Sequence, residues 1–380
     1  SLEIMVEAAA EMERRGMTLP LLIGGATTSK IHTAVKIAPQ YKNPVIYVKD
    51  ASRAVGVVSN LLSGNQDFLN ELHNDYQQTR DMHGQKKAKK YLSIAEARQN
   101  KLKIDWKHAP IYKPNFVGVK QLIDFPISEL RKYIDWTFFF FVWELKGKYP
   151  EILNDDLQGE EARKLYADAN RMLDEIIEKK MIQANAVFGI WPANADGDDI
   201  TIYDDEISKK EIGRFYHLRQ QEAKKPGSPN YCLSDFVAPV DSDRTDYFGA
   251  FATTAGIGIE KWLQQYRDDH DDYHAIMLEA LADRLAEAFA ELLHEKVRKE
   301  YWGYAADEKL SLEEMLHVDY QGIRPALGYP ACPEHHEKGN LFAMLRADEL
   351  GLSLTEHFMM TPTASVSGEF FAHPESKYFS

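Results

Sequence analysis

Residues 324–338 read Arg-Pro-Ala-Leu-Gly-Tyr-Pro-Ala-Cys-Pro-Glu-His-His-Glu-Lys, which gathers three prolines, a glycine, one of the two cysteines and two adjacent histidines. Proline lacks the donor that a helix interior or a central strand requires, so the stretch must be an ordered loop. Its residue types admit three chemistries. Arg324 offers a planar fork of donors suited to a carboxylate or phosphate, and Gly328 allows backbone to approach a ligand closely. Cys332, His335 and His336 are metal-ligand types. Cys-x2-His, however, supplies two ligands where structural zinc takes four and catalytic zinc three, and adjacent histidines rarely point the same way. A nucleophilic Cys332 would need a base and oxyanion donors that the sequence does not place.

A second stretch, residues 133–143, is the most aromatic of the chain, and Asp135 stands among its rings. A carboxylate with apolar neighbours is costly unless paired or hydrogen-bonded. Asp135 is therefore either the cap of a following helix or the partner of a bound cation. Phe370 and Phe371 form a ring pair near the end of the chain. An arginine loop, an isolated aspartate and a ring pair together suit a zwitterion with a flat ring, such as an amino acid carrying a sulfonium and an adenine. The sequence contains neither a P-loop nor GxGxxG, so nucleoside triphosphate and ordinary dinucleotide readings have no support.

Two kinds of element surround these residues. Residues 2–15 read as an amphipathic helix stopped by Gly16, followed by short strands at 19–23 and 45–48. Gly24 and Gly25 follow the first strand, a helix over about 29–38 comes next, and a further helix starts at Ala51. Alternating buried strands and helices indicate a doubly wound parallel sheet, of which only two strands are present. The polar run 67–88 reads as a helical arm passing into a linker. From residue 91 onward the pattern is α+β: an amphipathic helix over 160–181, an antiparallel pair at 186–191 and 200–203, strands at 233–238 and 246–254, and a long helix over about 271–302. Asp283 and Glu287 lie one turn apart on that helix and read first as solvated or capping charges.

Composition narrows the field. The chain has 380 residues, 44% apolar and 27% charged, which is ordinary for a folded chain of two or three domains. A net charge of −14 argues against nucleic acid or an anionic membrane as partner. Two cysteines in unlike contexts point to a reducing cytoplasm rather than a disulfide framework. No apolar run of about 18 residues spans a bilayer. The chain opens at Ser1 in the middle of a helical pattern, so it is expected to be a piece of something longer.

The loop 324–338 resembles the signature R-P-A-x-G-Y-P-A-C-P-E-H of the activation domain of cobalamin-dependent methionine synthase. Ile134-Asp-Trp-Thr137, Tyr231-Cys-Leu-Ser-Asp-Phe-Val-Ala-Pro239 and Ala364-Ser-Val-Ser-Gly368 are similar to that family in the same order. Upstream, Pro20-Leu-Leu-Ile-Gly-Gly-Ala-Thr-Thr-Ser-Lys30 and Ala51-Ser-Arg53 resemble the carboxyl-terminal half of its cobalamin domain. The resemblance implies a partial Rossmann-like cobalamin domain over 1–75, a linker over 76–90, and an α+β activation domain over 91–380 with an antiparallel sheet and surrounding helices. It implies that S-adenosylmethionine binds with its ammonium at Asp135 and its carboxylate at Arg324. The backbone of Ala326, Gly328 and Tyr329 would lie along the adenosine, Phe370 and Phe371 would give ring contacts, and Glu287 would face the sulfonium. Phe370 and Phe371 replace a Tyr-Phe pair, so one phenol hydroxyl is lost. Gly24, Gly25 and Ala51 match positions lining the nucleotide tail of cobalamin. The cobalt-ligand motif D-x-H-x-x-G and the homocysteine and methyltetrahydrofolate modules do not occur in this sequence.

The activity so implied is repair: a flavodoxin-type donor reduces oxidised cobalamin, and S-adenosylmethionine remethylates it. The partners are that donor and the other domains of the same enzyme, and a monomer is expected. Two other readings stay open on the residues alone. One is a non-catalytic module whose loop docks a protein partner, and the other is a hydrolase using Cys332.

Overall fold

The structure is a computed structural model describing residues 2–24, 28–48, 51–85 and 90–379, with side chains at 2–4, 51–55 and 83–85 left aside. The chain divides into two compact units, Ser1–Lys90 and Tyr91–Ser380.

In the first unit, α1 (Leu2–Arg14) precedes β1 (Leu21–Ile23), which pairs in parallel with β2 (Val45–Tyr47) in the register Leu21↔Val45. Ala9, Ile23, Ile37, Tyr41 and Val45 make the small core between them. Next come α2 (Ala51–Leu62) and α3 (Gln66–Gln85). The helix α3 runs through the first ten residues of the predicted linker. The reason is packing: Tyr76 is buried and its hydroxyl accepts from the Tyr47 N–H at 2.9 Å, while Arg80 Nη1 donates to the Ala34 carbonyl at 3.0 Å.

The second unit is α+β. The elements that position the site are β3 (Gly118–Leu122), α4 (Trp136–Val142), α5 (Gly159–Lys179), β4 (Gln183–Asp196), β5 (Asp199–Tyr203), β6 (Glu211–Tyr216), β7 (Asp246–Ile257), α6 (Asp272–Lys296), α7 (Glu337–Leu345), the short pair β8 (Ser353–Leu354) and β9 (Met360–Thr361), and β10 (Ser365–Phe370). An antiparallel sheet runs β10-β7-β4-β5-β6, with β3 also on β4. The predicted turn at 192–198 is mostly strand. Pro192 falls between the end of pairing with β3 at Ile190 and the start of pairing with β5 at Ala193, where the ladder on that side is already broken.

The predicted strand at 233–238 is instead a tight turn, Leu233–Phe236. Asp235 accepts from the Cys232 N–H at 3.0 Å and takes two 2.8 Å bonds from Arg219, so a side chain supplies what a strand neighbour would have supplied.

Period-2 alternation gives the sheet two buried faces. Ala186, Phe188 and Ile190 of β4 and Phe251 of β7 face α6, joining Leu281, Leu285 and Phe289. Val187, Trp191, Phe248 and Ala250 face the other way, against Leu233, Phe236, Leu341 and Phe342. Helix propensities differ by less than about 1 kcal/mol per residue. Burying each Leu or Phe contributes about 1.5–3 kcal/mol, so packing on the sheet, more than propensity, holds α6 in place. A π-helical turn, Val297–Tyr301, completes the predicted long helix.

Candidate functional site

The arginine loop is zipped to the sheet. Ile323 and Phe371 exchange two backbone hydrogen bonds at 3.0 Å, and the Glu369 N–H donates to the Pro325 carbonyl at 3.0 Å, so residues 323–326 extend the sheet beyond β10. Beyond them the loop turns at Gly328, whose φ of +97° suits glycine. Its N–H donates to the Cys332 carbonyl at 2.8 Å, and the Cys332 N–H donates back to Tyr329 at 2.9 Å.

This loop, the start of α4 and one face of α6 enclose a groove made of two adjoining cavities. The first, about 420 Å³, is lined by Asp135, Glu287, Arg324 and Tyr329, together with Tyr133, Phe138, Arg284, Glu291 and Tyr320. The second, about 340 Å³, shares Glu287 and Tyr329 and adds Ala326, Gly328, His335, Lys338 and Ser365 through Ser367. Six of the eight residues that the sequence points to for one ligand therefore meet at one groove.

Asp135 takes the first of the two roles foreseen for it, the helix cap. Its Oδ1 caps α4 by accepting from the Thr137 N–H at 2.9 Å. Its side chain also lines the cavity, and its second oxygen has no partner among the described residues. Glu287 keeps solvent contact, yet it stands in a crowded part of the groove where loss of hydration pushes its carboxyl above the ordinary value. Arg284 and Arg324 oppose that shift.

Arg324 is more engaged than the sequence suggests. Its Nη1 and Nη2 donate to Glu291 at 3.1 and 2.6 Å, and Nη1 also reaches the Tyr320 hydroxyl at 3.0 Å and His294 Nδ1 at 3.4 Å. Burial and the two arginines Arg298 and Arg324 push His294 well below its usual range, so it is neutral and can accept from Arg324. A guanidinium has five N–H groups. Those on Nη1 are used and one on Nη2 is taken by Glu291, which leaves Nε and the second Nη2 hydrogen as a side-on edge for a carboxylate.

Phe370 and Phe371 do not line the groove. Phe370 is fully buried, stacked between Phe251 at 4.7 Å and His294 at 5.2 Å, while Phe371 packs on the opposite face against Phe248 at 5.7 Å. Neighbouring strand residues point to opposite faces, so both rings could not reach one ligand. Phe370 instead backs His294, which backs Arg324.

Sequence reasoning missed Arg284. It lines the first cavity, its guanidinium lies 5.9 Å from the Phe138 ring centre, and its Nε is buried without a hydrogen-bond partner. The signal was present: Arg284, Glu287, Ala288 and Glu291 follow the spacing i, i+3, i+4, i+7 of one helical face.

His335 and His336 are exposed while Cys332 is buried, so the three do not form a metal cluster. Burial, with Glu369, Glu337 and other groups nearby, pushes the Cys332 thiol far above its usual value, which disfavours a nucleophile. In the first unit, Gly24 ends β1, where a Cβ would stand 3.0 Å from the Val48 carbonyl oxygen. Gly25 lies outside the described residues, and Ala51 opens α2 shortly after β2. Carboxyl ends of parallel strands are where such a sheet takes ligands, and at Gly24 the close approach is to the chain's own backbone at Val48. Among the described residues, no helix is long and apolar enough to cross a membrane.

Comparison with known proteins gives the family. A solved structure described as the MetH reactivation domain bound to AdoHcy is 50% identical, covers 76% of this chain and 89% of its own, and superposes with a TM-score of 0.75. Residues 126–380, well over half of the chain, match the family described as "Vitamin B12 dependent methionine synthase, activation domain". A groove built from the arginine loop, with a family match that spans every residue lining it, leads to one assignment: the chain belongs to the activation-domain family of vitamin B12 dependent methionine synthase.

Proposed function

We propose that this chain is the reactivation module of cobalamin-dependent methionine synthase, a methyltransferase, and that its groove binds S-adenosylmethionine. The observation that carries the reading is charge complementarity. The ligand brings an ammonium, a sulfonium and a carboxylate. The groove offers Asp135 and Glu287, neither of them in a direct ion pair among the described residues, the open edge of Arg324, and Arg284. Asp135 takes the ammonium, Glu287 faces the sulfonium, and Arg324 takes the carboxylate on the edge that Glu291 leaves open, with Arg284 as a second cation. The backbone of Ala326, Gly328 and Tyr329 lies along the adenosine. These are charge-assisted contacts, stronger than neutral ones.

Cobalamin, when bound in the whole enzyme, supplies the cobalt that accepts the methyl group. The residues of this chain bind and orient the sulfonium, which is where a protein contributes most to a reaction its cofactors carry. The first unit, in which the predicted linker 76–90 begins as packed helix, is read as the carboxyl-terminal part of the cobalamin domain, with Gly24, Gly25 and Ala51 toward the nucleotide tail, and 91–380 as the activation domain. Lacking the cobalt-ligand motif, this chain alone does not make methionine. A flavodoxin-type donor and neighbouring domains are its partners, and exposed Phe138, Phe141 and Val142 near the groove give them apolar surface. The chain is taken to be cytoplasmic and monomeric.

Equilibrium binding of S-adenosylmethionine tests the reading. Saturable binding supports it; a chain that binds a flavodoxin or its own neighbouring domains but no nucleoside would be a docking module instead.

A further inference from the structure

Cys332 has different neighbours from the histidines beside it in sequence. A ring nitrogen of His217, the Sγ of Cys332 and a carboxylate oxygen of Glu369 lie within 4.8 Å of one another, and all three residues are buried. The side chains of His217 and Glu369 have no solvent exposure, and Nε2 of His217 stands 3.0 and 3.2 Å from the two Glu369 oxygens. The other ring nitrogen, Nδ1, is buried with no hydrogen-bond partner. The sulfur has only a long contact, 3.9 Å to the Tyr216 carbonyl. Glu337, also buried, adds a further acid nearby, its carboxylate accepting from the Tyr216 N–H at 3.5 Å. The pocket thus holds an orphaned imidazole nitrogen, a thiol without a good partner and more acid than base.

We propose that His217, Cys332 and Glu369 form a binding site for a divalent transition-metal ion of the zinc type. Thiolate, imidazole and carboxylate are the donor set such an ion prefers, and three protein ligands leave a fourth position open. Thiolate and carboxylate carry two negative charges, which the ion cancels. On binding, the Cys332 thiol proton leaves to solvent and the ring proton of His217 moves to the nitrogen not bound to the ion.

The position gives the ion a role. Cys332 belongs to the arginine loop, His217 follows β6, and Glu369 lies on β10, where its N–H already holds Pro325. A metal here staples the back of the loop to two strands and fixes Ala326 through Tyr329 in place. No residue that lines the groove is consumed. The site therefore stands or falls independently of the nucleoside reading.

The test is expression of the full chain in cobalt-supplemented medium, so that the ion enters as the core closes. The expected result is one cobalt per molecule with a near-ultraviolet thiolate-to-cobalt charge-transfer band. The band persists in Cys232→Ser, where the other buried cysteine is removed, and disappears in Cys332→Ser. Glu369→Gln keeps the size and polarity of that side chain and provides a second variant, expected to fold by circular dichroism and to carry clearly less cobalt. A native chain holding well below one equivalent, a band surviving in Cys332→Ser, or full cobalt loading in Glu369→Gln would overturn the proposal.

Discussion

Arg324 and Glu291 form a double hydrogen bond, 3.1 and 2.6 Å, across the wall between the arginine loop and α6. Glu291 is 4% exposed and Arg324 18% at the side chain, so the pair is shielded from water. Removing one partner of a buried pair strands the other charge and costs about 3–5 kcal/mol.

Arg324→Ala should therefore be defective twice. Unfolding by denaturant should show a loss on the order of 3 kcal/mol, and binding of S-adenosylmethionine should weaken by about 2 kcal/mol or more through the lost carboxylate contact. Arg324→Lys keeps the charge and loses the fork, and should lie between. An unchanged dissociation constant in a folded Arg324→Ala chain would remove this residue from the ligand site.

Glu287 sets the pH dependence. Its carboxyl is raised, chiefly by loss of hydration in the groove, so it takes up a proton at higher pH than an ordinary glutamate. In the proposed binding mode the ionised form attracts the sulfonium. Affinity is thus full above the raised value and falls as pH drops through it, by at most about tenfold per pH unit. Glu287→Gln should bind more weakly near neutral pH and show a flatter profile. The same slope in native and variant chains would assign the titration elsewhere. His294 does not contribute, because it is already neutral.

Much of the site was legible because its residue types are local. The proline-rich stretch announced a loop, and Asp135 among rings announced a cap or a cation partner. What was not legible depended on faces and long-range pairing. Phe370 and Phe371 read as a pair, but β10 sends them to opposite sides of the sheet. Arg284 shows only when the helical face of α6 is traced. His217 and Glu369 are 152 residues apart and meet although β6 and β10 stand at opposite ends of the strand order, a contact that no local pattern announces. Strand propensity at 233–238 lost to the side-chain bonds of Asp235. In the first unit, Tyr76 and Arg80 turned half of a polar run into packed helix.

Gly328 is expected to tolerate no side chain without loss. An added Cβ would stand 2.3 Å from His335 Cε1, and the φ of +97° is unfavourable for L residues. The exposed imidazole can swing away, so backbone strain decides the outcome, at about 1–2 kcal/mol. Gly328→Ala should lower the denaturation midpoint by that amount and weaken nucleoside binding, since the backbone of Ala326 through Tyr329 would shift. Unchanged values for both would mean that the turn is not held as described.

Both cysteines should be inert in the folded chain. Burial pushes the Cys232 thiol up to about 12 and the Cys332 thiol further, and neither residue is exposed. Alkylation followed by mass spectrometry should modify them only when denaturant is added. Rapid modification of Cys332 under native conditions would revive the nucleophile reading.

The central claim is that one groove holds a zwitterionic nucleoside, and calorimetric titration of the chain with S-adenosylmethionine tests it most directly. The account predicts saturable heat with a single site, competition by S-adenosylhomocysteine, and clear weakening in Asp135→Asn. No heat and no competition at millimolar ligand, where even a weak site of about −4 kcal/mol would begin to fill, would contradict it.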